Sequence, residues 1–85
     1  MPTKTVIVGS AVGLHARPAA IISEAAANSG VPVTLAVDGG DPIDAGSALM
    51  IMTLGAGHGT RVTVSAEDRG VLDAIAELVQ RDLDS

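Results

Sequence analysis

Apolar and polar positions change rhythm several times along the chain, and each rhythm predicts an element. "TKTVIVG", residues 3–9, is rich in β-branched residues and ends on a glycine, which predicts a strand. "SAVGLH" has weak periodicity and reads as a loop. "ARPAAIISEAAANSG" then repeats at the helical period. Arg17, Glu24 and Asn28 fall on one face, and Ala19, Ile22 and Ala26 on the other. Pro18 suits a first turn, where its missing N–H does no harm, and Asn28, Ser29 and Gly30 end the helix. "VPVTLAV" predicts a second strand. "DGGDPIDAG" is turn chemistry around a very short third strand near Pro42 and Ile43. "RVTVSA" alternates as a strand should. "EDRGVLDAIAELVQRDL" predicts the final helix. Leu72, Ile75, Val79 and Leu83 form its apolar stripe, with acids in the first turn and Arg81 in the last.

"SALMIMTL", residues 47–54, is ambiguous. Periodicity alone allows a buried strand or a short helix, although Ser47 as an N-cap favours the helix. No repeat or linker divides the chain, so residues 1–85 are expected to form a single domain. The order of elements predicts an α+β fold, with a mostly antiparallel sheet and helices on one face.

Composition narrows the function. Nearly half of the 85 residues are hydrophobic, yet none is Phe, Trp or Tyr. The core must be aliphatic, and no aromatic platform exists for stacking bases or sugars. The formal net charge of −5 argues against nucleic acid or an anionic membrane surface as partner. Without cysteine, disulfides and thiolate metal sites are excluded. The opening "MPTKTVIV" is unlike a signal peptide, and no apolar run reaches membrane-spanning length, so a cytoplasmic protein with no membrane insertion is expected.

"GLHARPAA", residues 13–20, carries the candidate chemistry. A phosphoryl carrier needs a nucleophile that works near neutral pH and an adduct that is easily passed on. Imidazole, with an unperturbed pKa of about 6.5, meets both needs. The bound dianion then needs a helix N-terminus with unpaired N–H groups, and a guanidinium fork. Carboxylates nearby would repel it. His15, Arg17 and the helix start satisfy these conditions, and no acidic residue precedes Glu24. Gly13 lets the backbone turn and approach closely. Spacing by itself leaves open that His15 is an ordinary loop residue.

"GLHARPAA" resembles the active-site signature of the HPr family, the histidine-containing phosphocarriers of the bacterial phosphoenolpyruvate:sugar phosphotransferase system. "SALMIMTLG", residues 47–55, is similar to the second signature of that family, and the likeness extends over essentially the whole chain. The resemblance implies an open-faced β-sandwich: a four-stranded antiparallel sheet with three helices on one face. Residues from Ser47 to about Thr53 then form a short helix. It implies that His15 takes phosphate on Nδ1 from Enzyme I and gives it to a IIA domain of a sugar permease. Arg17 would steady the phosphate, helped by the backbone N–H groups of Ala16 and Arg17. Docking would use Ala16, Ala20, Ala48, Leu49 and Met52. No cofactor and no metal are implied, and a monomer is expected.

Three departures from the family pattern stand out. Val12 occupies the position before Gly13 where many members have a small polar residue, so a hydrogen bond to the imidazole is lost. Glu24 and Asn28 stand on the exposed face of the first helix, where some members carry lysines that steer partners. Ser47 corresponds to a serine that a kinase modifies in some relatives. Here it lies between Gly46 and Ala48, and its helix-cap role is favoured over regulation.

Other readings compete. A protein of this fold could act mainly by binding regulatory proteins, or could serve a nitrogen-related branch of phosphotransfer. A hydrolase using His15 would need a water-activating base, which the motif lacks. "GAGHGT", residues 55–60, precedes a strand rather than a helix, so it reads as a turn with His58 exposed, not as a nucleotide loop. Asp38, Asp41 and Asp44 lack a calcium-loop pattern. At least one of Met50 and Met52 is expected in the core.

Overall fold

The computed structural model describes residues 2–83. The elements follow one another as β1 (Thr3–Ile7), α1 (Ala16–Asn28), β2 (Val33–Val37), β3 (Ile43–Asp44), α2 (Ala48–Thr53), β4 (Arg61–Ala66) and α3 (Arg69–Gln80). β4 is the hinge of the topology. The last strand in sequence inserts between β1 and β2, giving the order β1-β4-β2-β3 with every pairing antiparallel.

Register explains which face is buried. Val62 stands opposite Val6 on one side and Val37 on the other, and Val64 stands opposite Lys4 and Leu35. Successive side chains alternate across a strand, so these residues share one face. Val6, Val33, Leu35, Val62, Val64 and Ala66 are buried there. Lys4 shares that parity at the edge strand but keeps its charge in water, 3.6 Å from Asp73 of α3. The opposite face is uncovered and rich in hydroxyls, and Thr5 and Thr63 meet across it at 2.9 Å.

The three helices cover the apolar face. α3 packs on β1 and β4, α1 lies between α3 and α2, and α2 reaches β3. α1 buries Pro18, Ala19, Ile22 and Ala26, the face its periodicity predicts. α3 buries Leu72, Ile75, Ala76 and Val79. The core is aliphatic throughout, and each fully buried Ile, Leu or Val contributes about 1.5–3 kcal/mol.

Residues 48–53 are helical, which resolves the ambiguous segment. Ser47 Oγ accepts from the N–H of Met50 at 3.2 Å and caps α2. Three expectations need correction. No acid lies in the first turn of α3, because Asp68 is its N-cap, accepting from Val71 N–H at 3.0 Å, and Glu67 precedes it. Arg81 and Leu83 lie beyond the end of α3, where the chain has turned extended, so Leu83 packs on the core from outside the helical stripe. In α2 the buried residue is Ile51, with Met52 half-buried beside the core and Met50 exposed. Among the described residues no helix is long and apolar enough to cross a membrane.

Candidate functional site

The loop between β1 and α1 delivers His15. Its last residues alternate between inward and outward positions. Leu14 is buried in the core, His15, Ala16 and Arg17 are exposed, and Pro18 and Ala19 are buried again. The inward residues fix the chain, and the outward ones stand in solvent at the start of α1.

Gly13 sets the position of this loop. Its φ is +74°, and a Cβ there would lie 2.5 Å from the carbonyl oxygen of Ala56 and 2.8 Å from Gly57 Cα. Only glycine allows both the left-handed backbone and this approach. The N–H of Leu14 then donates to the Ala56 carbonyl at 2.8 Å. The turn at 56–59, with its exposed His58, therefore serves as the wall behind the histidine loop.

His15 occupies the N-cap position of α1 with extended backbone, but its side chain caps nothing. The imidazole is left for other chemistry. Ala16 has φ +46°, which is the left-handed region in a residue that carries a Cβ. Such a conformation costs on the order of 1–3 kcal/mol and marks a position the surroundings enforce. The first N–H groups of a helix have no partner within it, and in α1 these belong to Ala16 and Arg17. Pro18 has no N–H, and the Ala19 N–H reaches back to the His15 carbonyl at a long 3.5 Å. Among the described residues these two donors have no hydrogen-bond partner, and they lie immediately after the imidazole.

Charge favours an anion here. The guanidinium groups of Arg61 and Arg81 pair with Asp38 and Glu77, and Lys4 pairs with Asp73. Arg17 makes no ion pair among the described residues. The first turn of α1 holds no acid, and Glu24 follows about two helical turns later. An exposed imidazole, an unneutralised arginine and a helix N-terminus can together hold a dianion.

α1 and α2 pack against each other, so their outer residues form one surface. Ala16, Ala20 and Leu49 are exposed on it, whereas Ala48 and Met52 are half-buried. Val12, Leu49 and Met50 are large apolar residues with 47%, 70% and 41% exposure. Sequence reasoning did not mark Val12 or Met50 as surface contacts. The signal existed for Met50, since burying Ile51 in a one-and-a-half-turn helix turns its neighbours outward. Asp38 pairs with Arg61, and Asp44 accepts the Gly46 N–H at 2.8 Å, so these acids are occupied as turn residues. Among the described residues no group of three or more His, Cys, Asp or Glu side chains could hold a metal ion.

Fold and site together define an open-faced β-sandwich centred on one unencumbered histidine beside an arginine. Residues 2–81 match the family described as the PTS HPr component phosphorylation site. The chain is 41% identical to phosphocarrier protein HPr of Streptomyces coelicolor over 87 residues, covering 99% of this chain and 94% of that one. It is 35% identical to phosphocarrier protein HPr of Pseudomonas putida over 89 residues, covering 99% and 97%. The crystal structure of HPr from Bacillus anthracis superposes with a TM-score of 0.86 at 33% identity, covering 93% of this chain and 96% of that one. The chain belongs to the HPr family of phosphotransferase-system phosphocarriers.

Proposed function

We propose that this protein relays a phosphoryl group from phosphorylated Enzyme I to a IIA domain of a sugar permease, carrying it on His15. The observation that carries this reading is Arg17, without an ion pair among the described residues, two residues after an exposed, uncapped His15 at a helix start without acids. An imidazole nitrogen of His15, Nδ1 by family likeness, attacks the phosphorus held on the donor histidine. The new N–P bond forms as the donor's N–P bond breaks, and the donor imidazole keeps that electron pair. Arg17 and the N–H groups of Ala16 and Arg17 offset the charge on the phosphoryl oxygens as it transfers. The acceptor histidine of the IIA domain then repeats the displacement in the other direction. Solvent exposure of His15 suits a group that must meet two different proteins in turn.

Ala16, Ala20, Ala48, Leu49 and Met52 form the docking surface in this reading, extended by Val12 and Met50. The protein turns over no small molecule unaided and works as a cytoplasmic monomer without a cofactor. Ser47 acts as the cap of α2, its hydroxyl oxygen already engaged by Met50 N–H.

The relay is tested by loading the protein with radiolabelled phosphoenolpyruvate and Enzyme I, removing both, and adding an isolated IIA domain. Label should move to the IIA domain within the time of mixing. Label that stays on this protein, or leaves only as inorganic phosphate, would contradict a carrier role and favour a regulatory or hydrolytic one.

A further inference from the structure

Ser10 lies in the same loop as His15, five residues earlier, and its side chain is fully buried. Among the described residues the other buried polar one, Ser23, bonds within its own helix, to the Ala20 carbonyl at 3.0 Å. Ser10 instead bonds across the fold. Its hydroxyl donates to the carbonyl of Arg81 at 3.3 Å and accepts from the N–H of Leu83 at 3.1 Å. Both partners belong to the stretch just after α3.

The neighbouring contacts point the same way. The N–H of Gly9 donates to the Val79 carbonyl at 3.1 Å, and a Cβ at Gly9 would fall 2.0 Å from the carbonyl oxygen of Gln80. The Ser10 carbonyl accepts from Gly13 N–H at 2.9 Å, which closes the turn leading to Leu14. The loop is therefore braced at its root by residues 79–83 and at its tip by the 56–57 turn. His15 follows directly.

We infer that Ser10 is a positioning residue for phosphoryl transfer: its hydroxyl fastens residues 81–83 to the root of the His15 loop and so fixes where the loop holds the imidazole. The inference rests on the reading of His15 as the phosphoryl acceptor. Removing the hydroxyl leaves the Arg81 carbonyl and the Leu83 N–H without their partner at a part-buried site. The stretch after α3 then loses its fastening to Ser10, and the root of the loop is held by the Gly9 N–H to Val79 bond and the Gly9–Gln80 approach alone. In-line displacement depends on geometry, so a looser imidazole spends less time in the reactive pose. The docking surface on α1 and α2 is untouched.

Ser10→Ala in the full chain provides the test, with two readouts. In amide hydrogen exchange, the Gly13 and Leu14 amides should lose protection by roughly two- to tenfold more than those of β4, the range one ordinary hydrogen bond represents. In phosphorylation by Enzyme I, kcat should fall by roughly the same factor with KM unchanged. Leu83→Pro, which deletes the N–H at the other end of the bond, should loosen the same two amides. Equal loss of protection in the loop and in β4 would mean that Ser10 merely stabilises the fold, and would overturn the proposal. So would unchanged kcat, or a change confined to KM. If Enzyme I phosphorylates neither the parent nor the variant, the phosphocarrier reading itself fails and the positioning role falls with it. A normal parent beside an unaffected variant condemns the Ser10 inference alone.

Discussion

Gly13→Ala should be among the most damaging single-methyl additions in this protein. Two separate effects act there. The first is backbone strain: φ is +74°, and an L-residue in the left-handed region costs about 1–2 kcal/mol. The second is collision. The new Cβ would sit 2.5 Å from the Ala56 carbonyl oxygen and 2.8 Å from Gly57 Cα, and both obstacles are backbone, which cannot swing aside as a side chain can. Overpacking of this kind costs about 1–3 kcal/mol. Relief by separating the loop from the turn would stretch the Leu14–Ala56 hydrogen bond. The total is about 2–5 kcal/mol, a large share of the roughly 5–15 kcal/mol that stabilises a small domain. Gly30→Ala is the matched control, because Gly30 has φ +78° but nothing within 4 Å of its Cβ position. It should show the strain alone. Urea denaturation of the two variants separates the effects. At roughly 4–8 °C per kcal/mol for a domain of this size, Gly13→Ala should also lower Tm by at least about 8 °C. Equal destabilisation of the two variants would mean that Gly13 is not wedged against the 56–57 turn.

Arg17→Ala should fold normally but accept phosphate from Enzyme I at least about tenfold more slowly, the effect of losing a charge-assisted hydrogen bond to the transferring group. An unchanged single-turnover rate would remove Arg17 from the mechanism. Ser47→Ala should cost about 1 kcal/mol by uncapping α2, read as a lower urea midpoint with an unchanged m-value. Leu49→Glu and Leu49→Lys should both raise KM for Enzyme I, because in the proposed docking the exposed leucine acts by leaving water rather than by charge. If the two variants shift KM in opposite directions, charge steering governs that part of the surface.

Local chemistry made much of the fold legible. β-branched runs, the helical period of α1 and the alternation in β4 depend on near neighbours, and those elements lie where the pattern puts them. The segment at 47–54 could not be assigned by periodicity, because a six-residue helix is shorter than two turns of its own period. What decides it is tertiary: Ile51 is drawn into the core beneath α1, and the Ser47 cap closes the first turn. The ends of α3 were misplaced for a related reason. Asp68 turns its carboxylate back to cap the helix, and the chain after Gln80 is pulled off the helical path toward the loop after β1. The residues of the proposed site, His15, Arg17 and Gly13, could be named together because they lie within five residues of one another. Ser10 was not readable, since its partners are 71 and 73 residues away and a serine in a loop gives no sign of burial.

Phosphorylation of His15 is the step on which the proposed relay depends, and intact-protein mass spectrometry after incubation with phosphoenolpyruvate and Enzyme I from the same organism reads it out. One added phosphoryl group, lost in acid and absent from a folded His15→Ala variant, is expected. No gain in mass beside an active Enzyme I, or a gain that persists in His15→Ala, would contradict it.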